Sequence, residues 1–136
     1  DAEGWRAEGE RAFAESSVRL DHLNLPYGFG GPNTVNTLDR EVRRQAAEAG
    51  IGADRFGMLA RTTVRLEPGR YRIRTSSDDG VRVIVNGKTI IERWNIHGPT
   101  PDEGTFRAGE EPVEIRVEHF ENDGYAHLDL SIEPAE

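Results

Sequence analysis

Two short acidic stretches hold most of the chemical potential of this sequence: Ser76-Ser77-Asp78-Asp79-Gly80 and Glu121-Asn122-Asp123-Gly124. On a regular strand, neighbouring side chains point to opposite faces, so Asp78 and Asp79 can share a ligand only across a local break in the backbone. Two carboxylates brought to one side repel each other until something neutralises them. The same residues are also good turn formers. Asp79-Gly80 is a turn dipeptide, and the Asp78 side chain can bond its own turn backbone. Other chemistry is thin. Cys is absent, which removes disulfides, thiolate catalysis and Cys-ligated zinc. The histidines, His22, His97, His119 and His127, form no i, i+4 ligand pair, so zinc is not indicated. His119 shares an apolar face with Ile115 and Val117 and reads as a core histidine. Carboxylate pairs suffice in principle for glycoside hydrolysis. No nucleophile elbow, phosphate loop or zincin motif accompanies them, so no enzyme is expected.

The 136 residues suit one domain, residues 1–136, with a modest core, since 35% are apolar and 31% charged. A net charge of −8 argues against nucleic acid as a partner, because phosphate-backbone binding needs a basic stripe. Anionic membrane surfaces are disfavoured on the same ground. No apolar run approaches the roughly 20 residues a bilayer crossing needs, so no membrane insertion is expected. The sequence opens on Asp1 and not on Met, and a module of a longer protein is expected.

Six stretches from residue 61 to 134 alternate apolar and polar residues with the two-residue period of half-buried strands. Around Glu67-Pro68-Gly69-Arg70, a hairpin pairing Leu66 with Tyr71 and Val64 with Ile73 is expected. Asn86-Gly87 predicts a second hairpin between residues 81–85 and 89–94. A third, turning at residues 121–124, would pair Phe120 with Tyr125, Val117 with Leu128 and Ile115 with Leu130. Residues 95–103 and 26–33 read as loops. Residues 4–8 and 17–20 read as possible strands. Residues 39–49, from Asp39 as N-cap to the Gly50 stop, predict one short surface helix. Short strands separated by turns indicate an all-β sandwich or barrel.

At residues 75–94 these observations meet a known pattern. Thr75-Ser76-Ser77-Asp78-Asp79-Gly80-Val81-Arg82-Val83, then Val85-Asn86-Gly87-Lys88 and Ile90-Ile91-Glu92-Arg93-Trp94, resembles the core signature of PA14 domains. Trp5-Arg6-Ala7-Glu8, Asp54-Arg55-Phe56-Gly57-Met58, Leu66-Glu67-Pro68-Gly69-Arg70-Tyr71 and Val117-Glu118-His119-Phe120-Glu121 are similar to further family segments in the same order. Leu59-Ala60-Arg61-Thr62 stands where the family often has an aromatic-rich strand, and the helical segment at residues 43–49 is an insertion.

The resemblance implies a PA14-like antiparallel β-sandwich or barrel with one short inserted surface helix. It also implies a secreted or cell-surface module attached to other domains of a parent protein. Many such modules bind carbohydrate. In the adhesin branch, an Asp pair joined by a cis peptide holds Ca²⁺, which grips sugar hydroxyls; by position, Asp78 and Asp79 are that pair. Calcium needs about six to eight oxygens at ~2.3–2.6 Å. Asn122 is expected to add to the shell, with Glu121 competing for the same slot. Sugar rings stack on aromatic faces while polar groups fix their hydroxyls, which nominates Trp94, Tyr125, Asn95 and Asp123 as glycan contacts, with core packing as the competing role for the Trp94 and Tyr125 rings and the leading one for Trp94. The expected function is thus a non-catalytic, lectin-like module for glycan or polysaccharide. The alternative is a structural or protein-interaction accessory module, for example of a glycosidase, in which the Asp pair serves only its turn.

Overall fold

The alternation seen in the sequence becomes two antiparallel sheets in a computed structural model, which describes residues 23–28, 40–51, 56–122, 124 and 126–135. In chain order the elements are β1 (Leu23–Gly28), α1 (Arg40–Glu48), β2 (Phe56–Val64), β3 (Gly69–Asp78), β4 (Val81–Val85), β5 (Lys88–Arg93), β6 (Thr100–Ala108), β7 (Val113–Glu121) and β8 (Ala126–Pro134). One sheet has the order β1-β8-β3-β6 and the other β2-β7-β4-β5. The fold is all-β with one short helix among the described residues, as the sequence predicts.

The core lies between the sheets. Ile73, Leu128 and Leu130 of the first sheet join Val81, Val83, Val85, Ile115 and Val117 of the second in one buried cluster. Each such side chain contributes about 1.5–3 kcal/mol of burial free energy. Of the expected hairpins, the Asn86-Gly87 one forms: β4 pairs with β5, and both turn residues take positive φ, 48° and 83°. Asn and Gly tolerate that conformation, which the tight turn demands.

The other two hairpins do not form. β2 pairs with β7 and β3 pairs with β6 and β8, so residues 65–68 carry the chain from one sheet to the other. β7 and β8 likewise lie in different sheets, so no hairpin joins them. The physical reason is common to both. A two-residue period says which face of a strand is buried but not which strand lies beside it. In a sandwich, consecutive strands in opposite sheets bury the same pattern as two strands of one hairpin.

Two loop expectations also need correction. Residues 95–103 read as loop, but β6 begins at Thr100 and pairs along β3, from Ser77↔Thr100 to Gly69↔Ala108. Its inward positions run Thr100, Asp102 and Gly104 before Phe106 and Ala108 reach the core, so its first half carries no apolar stripe. An edge position also lets the sheet accept Pro101, which cannot donate to a ladder. β1 likewise extends through Pro26 to Gly28 on the opposite edge, with its register shifting between Leu25 and Gly28. Along one side the sheets are stitched together. Asp102 of β6 accepts two bonds, at 2.7 and 2.8 Å, from Arg93 of β5. There the strands run so close that a Cβ on Gly104 would lie 2.6 Å from the Ile90 carbonyl oxygen.

Helix α1 is short, as expected. Arg44 bridges Glu41 and Glu48 on its surface, while Ala46 is buried. The expected N-cap Asp39 and the segments at residues 4–8 and 17–20 lie outside the described residues.

Candidate cation site at the junction of the two sheets

β3 ends at Asp78 in the first sheet, and two residues later Val81 opens β4 in the second. Within that short passage the Asp78–Asp79 peptide is cis, as the resemblance implies. β7 runs beside β4, and its last residue, Glu121, arrives at the same place. One carboxylate oxygen from each of Asp78, Asp79 and Glu121 lies within 4.8 Å of the other two. All three residues are nearly enclosed, with relative exposures of 6%, 2% and 2%.

Backbone donors hold the arrangement. Asp79 Oδ1 accepts a bond from the His97 N–H at 2.9 Å, and Oδ2 accepts one from the Asn122 N–H at 2.8 Å. One carboxylate thereby ties together the β5–β6 loop and the end of β7. The main chain repeats the connection: Asp79 N–H donates to the Phe120 carbonyl at 3.2 Å, and Phe120 N–H donates to the Gly80 carbonyl at 3.0 Å. The Phe120 ring fills the space beside Gly80, where an added Cβ would lie 2.1 Å from Cε1.

Histidine supports the pair from beneath. His119 is fully buried, and its Nε2–H donates to the Asp78 carbonyl at 2.9 Å. Burial pushes its pKa down to about 4, only partly offset by that bond, so the ring is neutral at pH 7. His127 lies opposite Asp78 in the β3–β8 register and bonds the Ser76 hydroxyl at 3.0 Å. The Asp78 carboxyl is pushed above its ordinary pKa, chiefly by burial and then by the charge of Asp79; His97 and His127 oppose the shift.

Burial of like charges disfavours the fully ionised cluster, and a divalent cation would reverse that penalty. The donors are hard oxygens, which suit calcium or magnesium better than softer metals. Separations of up to 4.8 Å fit the roughly 4.6–5.2 Å diameter implied by calcium–oxygen distances. The residues present therefore fit Ca²⁺, with other oxygens needed to complete its shell.

The structure brings three of the expected metal ligands, Asp78, Asp79 and Glu121, into one group. Asn122 enters through its backbone N–H. Asn95 is exposed at the start of the loop that delivers His97. Trp94, half-buried, turns its ring onto the Arg82 guanidinium at 4.3 Å from the ring centroid and meets Phe120 edge-on at 4.8 Å. Tyr125 and Asp123 lie outside the described residues. Sequence reasoning missed the His97 amide, since a backbone donor leaves no residue-type signal. It also passed over Ile96, which is 65% exposed one residue before that amide. An isoleucine set in a polar loop was the available signal.

The sequence matches the family model "PA14 domain" over residues 28–134. Its structure is similar to that of an anti-sigma factor domain-containing protein, with a TM-score of 0.68 and 21% identity over 89% of this chain. It is also similar to a PA14 sugar-binding domain from an RTX adhesin (TM-score 0.61, 23% identity, 83% of this chain). A third neighbour is the PA14 domain of the MpAFP antifreeze protein (TM-score 0.60, 18% identity, 82% of this chain). The similar regions span 38%, 68% and 63% of those three chains, respectively. No curated protein matches the chain by sequence.

Proposed function

The chain belongs to the PA14 domain family, and from that premise we propose that it is a non-catalytic module that binds glycan through a calcium ion. One observation carries the reading: three nearly enclosed carboxylates converge within 4.8 Å, one of them aimed by two backbone N–H groups. Asp78, Asp79 and Glu121 hold the ion, and Asn122 with neighbouring backbone oxygens adds to the shell. Bound there, calcium would supply a hard positive charge that attracts the vicinal hydroxyls of a sugar. Asn95, Asp123, Tyr125 and Trp94 remain the proposed glycan contacts, and the exposed Ile96 joins them as an apolar one. The neighbour described as a sugar-binding domain supports this assignment. The module works within a larger secreted or cell-surface protein, alongside that parent's other domains. No helix among the described residues is long and apolar enough to cross a membrane.

A second reading is favoured by Asp79 itself. Its carboxylate already joins two loops through hydrogen bonds, a latch that needs no metal. On that reading the chain is a structural or protein-interaction accessory module. Thermal melts separate the two. Calcium at 100 times its Kd would stabilise the folded chain by about 2.7 kcal/mol. The melting temperature should rise with calcium, return with chelator, and not respond to calcium in Asp78→Asn. An unmoved wild type would leave the latch as the role of the cluster. A glycan array run with calcium and with chelator then tests the sugar.

A further inference from the structure

Beside the acidic cluster stands a second group of charges that the calcium reading does not use. Arg82 of β4 lies opposite Glu118 of β7, and both are buried, at 6% and 0% exposure. Arg82 Nε donates to Glu118 Oε1 at 2.6 Å, and Arg116 Nε donates to Oε2 at 3.1 Å. For stability alone, such a pair is replaceable by apolar residues of similar volume, because desolvating the charges offsets their attraction. Its geometry offers another use. With Nε committed to Glu118, the guanidinium is held where Trp94 packs over it, 4.3 Å from the ring centroid. The same indole packs edge-to-face with Phe120, whose ring packs against Gly80, the residue following Asp79.

We propose that Trp94, seated on the Arg82–Glu118 pair, is the positioning residue of the cation site. It acts on Asp79 along two routes. Through the backbone, it anchors the start of the 94–99 loop, three residues before the His97 N–H that binds Oδ1. Through packing, it holds the Phe120 ring against Gly80, and the Phe120 main chain brackets Asp79 and Gly80 on both sides. Residues that aim a metal ligand typically govern affinity by about 10–100-fold without touching the ion. Trp94 belongs to that group. The inference rests on the calcium reading for its consequence, but not for its geometry.

The test therefore reads both. Trp94→Leu removes the stack, Trp94→Phe keeps an aromatic ring, and the double variant Arg82→Met with Glu118→Gln removes the charged seat while keeping an amide oxygen that can accept from Arg116. Calcium chloride is titrated into each folded protein by calorimetry. Amide hydrogen exchange at His97 and Asn122 is followed in chelator, with Ile73 in the core as control. Trp94→Leu and the double variant should weaken calcium binding about tenfold or more, and Trp94→Phe should recover most of it. In chelator, the His97 and Asn122 amides should exchange faster in those two proteins while Ile73 keeps its protection. A purely structural role would lower the melting temperature and leave calcium affinity and the two amides unchanged. That result overturns the proposal. A wild type that binds no calcium removes the metal reading instead, and the exchange pattern in chelator still decides whether Trp94 aims Asp79.

Discussion

Replacing Gly80 by Ala puts one methyl group into the tightest contact beside the acidic cluster. The new Cβ would lie 2.1, 2.7 and 2.8 Å from Cε1, Cδ1 and Cζ of Phe120. Carbon atoms rest at about 3.5–4.0 Å, so the ring must retreat by roughly 1.4 Å. It has little freedom to do so: Trp94 meets it at 4.8 Å, and the Phe120 N–H is bonded to the Gly80 carbonyl. Overpacking of this kind costs ~1–3 kcal/mol, and the confinement of the ring places it near the upper end. The φ of Gly80 is not in the left-handed region, so backbone conformation is no obstacle. Alanine also restricts the unfolded chain, which returns about 0.4–1 kcal/mol. The net expectation is a loss of about 2 kcal/mol, or roughly 1 M in urea midpoint at an m-value near 2 kcal/mol/M. Urea unfolding followed by tryptophan fluorescence measures it. Phe120→Leu in the same molecule should relieve the clash, giving a coupling of about 1 kcal/mol or more in a double-mutant cycle. A loss below about 0.5 kcal/mol, or strictly additive substitutions, would refute this account of the packing.

Three further outcomes are expected. Asp78→Asn should melt above the wild type in chelator at pH 7 while abolishing any calcium-dependent shift, since burial and Asp79 raise the pKa of this carboxyl. A raised folded pKa means that the contribution of Asp78 is present below the ordinary carboxyl range and lost as pH rises through the folded value, so the neutral amide is favoured at pH 7. His119 behaves oppositely: its pKa falls from 6.5 to about 4 on folding, so its contribution is full above 6.5 and lost as pH falls towards 4. Urea stability should therefore drop by about 2 kcal/mol more between pH 7 and pH 5 in the wild type than in His119→Gln. Ile96→Ser should leave calcium affinity intact and weaken binding of any glycan found on an array about fivefold, the equivalent of covering roughly 40 Å² of apolar surface. Equal glycan affinity in the two proteins would remove Ile96 from the contact surface.

Much of this architecture was readable before any coordinates, and the failures share a cause. Alternation along residues 61–134 located six strands, and Asn86-Gly87 located the one hairpin among the described residues. It did not identify neighbours, because Val117 and Leu128 point into the same core whether their strands lie side by side or face each other across it. The start of β6 escaped because the seam there needs Asp102 for Arg93 and Gly104 beneath Ile90, and apolar residues face the core only from Phe106 onward. At the site, Asp78 and Asp79 announced themselves by type and adjacency. Glu121 was visible only as a rival to Asn122, and the register of β7 beside β4 brings it into the group. Main-chain donors from His97 and Asn122 carry no signature in residue type. His119 was legible as a core residue, but its bond to the Asp78 carbonyl depends on how two strands from different sheets meet.

Because Asp78 closes a strand of one layer while Glu121 closes a strand of the other, neither half of the molecule owns the acidic cluster. A chain with only one layer assembled would scatter these oxygens, so divalent-ion binding at this cluster would double as a certificate of complete assembly. Pairings so distant in sequence are also slow to find each other. An ion that recognises only the finished article would bias late steps of maturation towards it, most of all where calcium is plentiful.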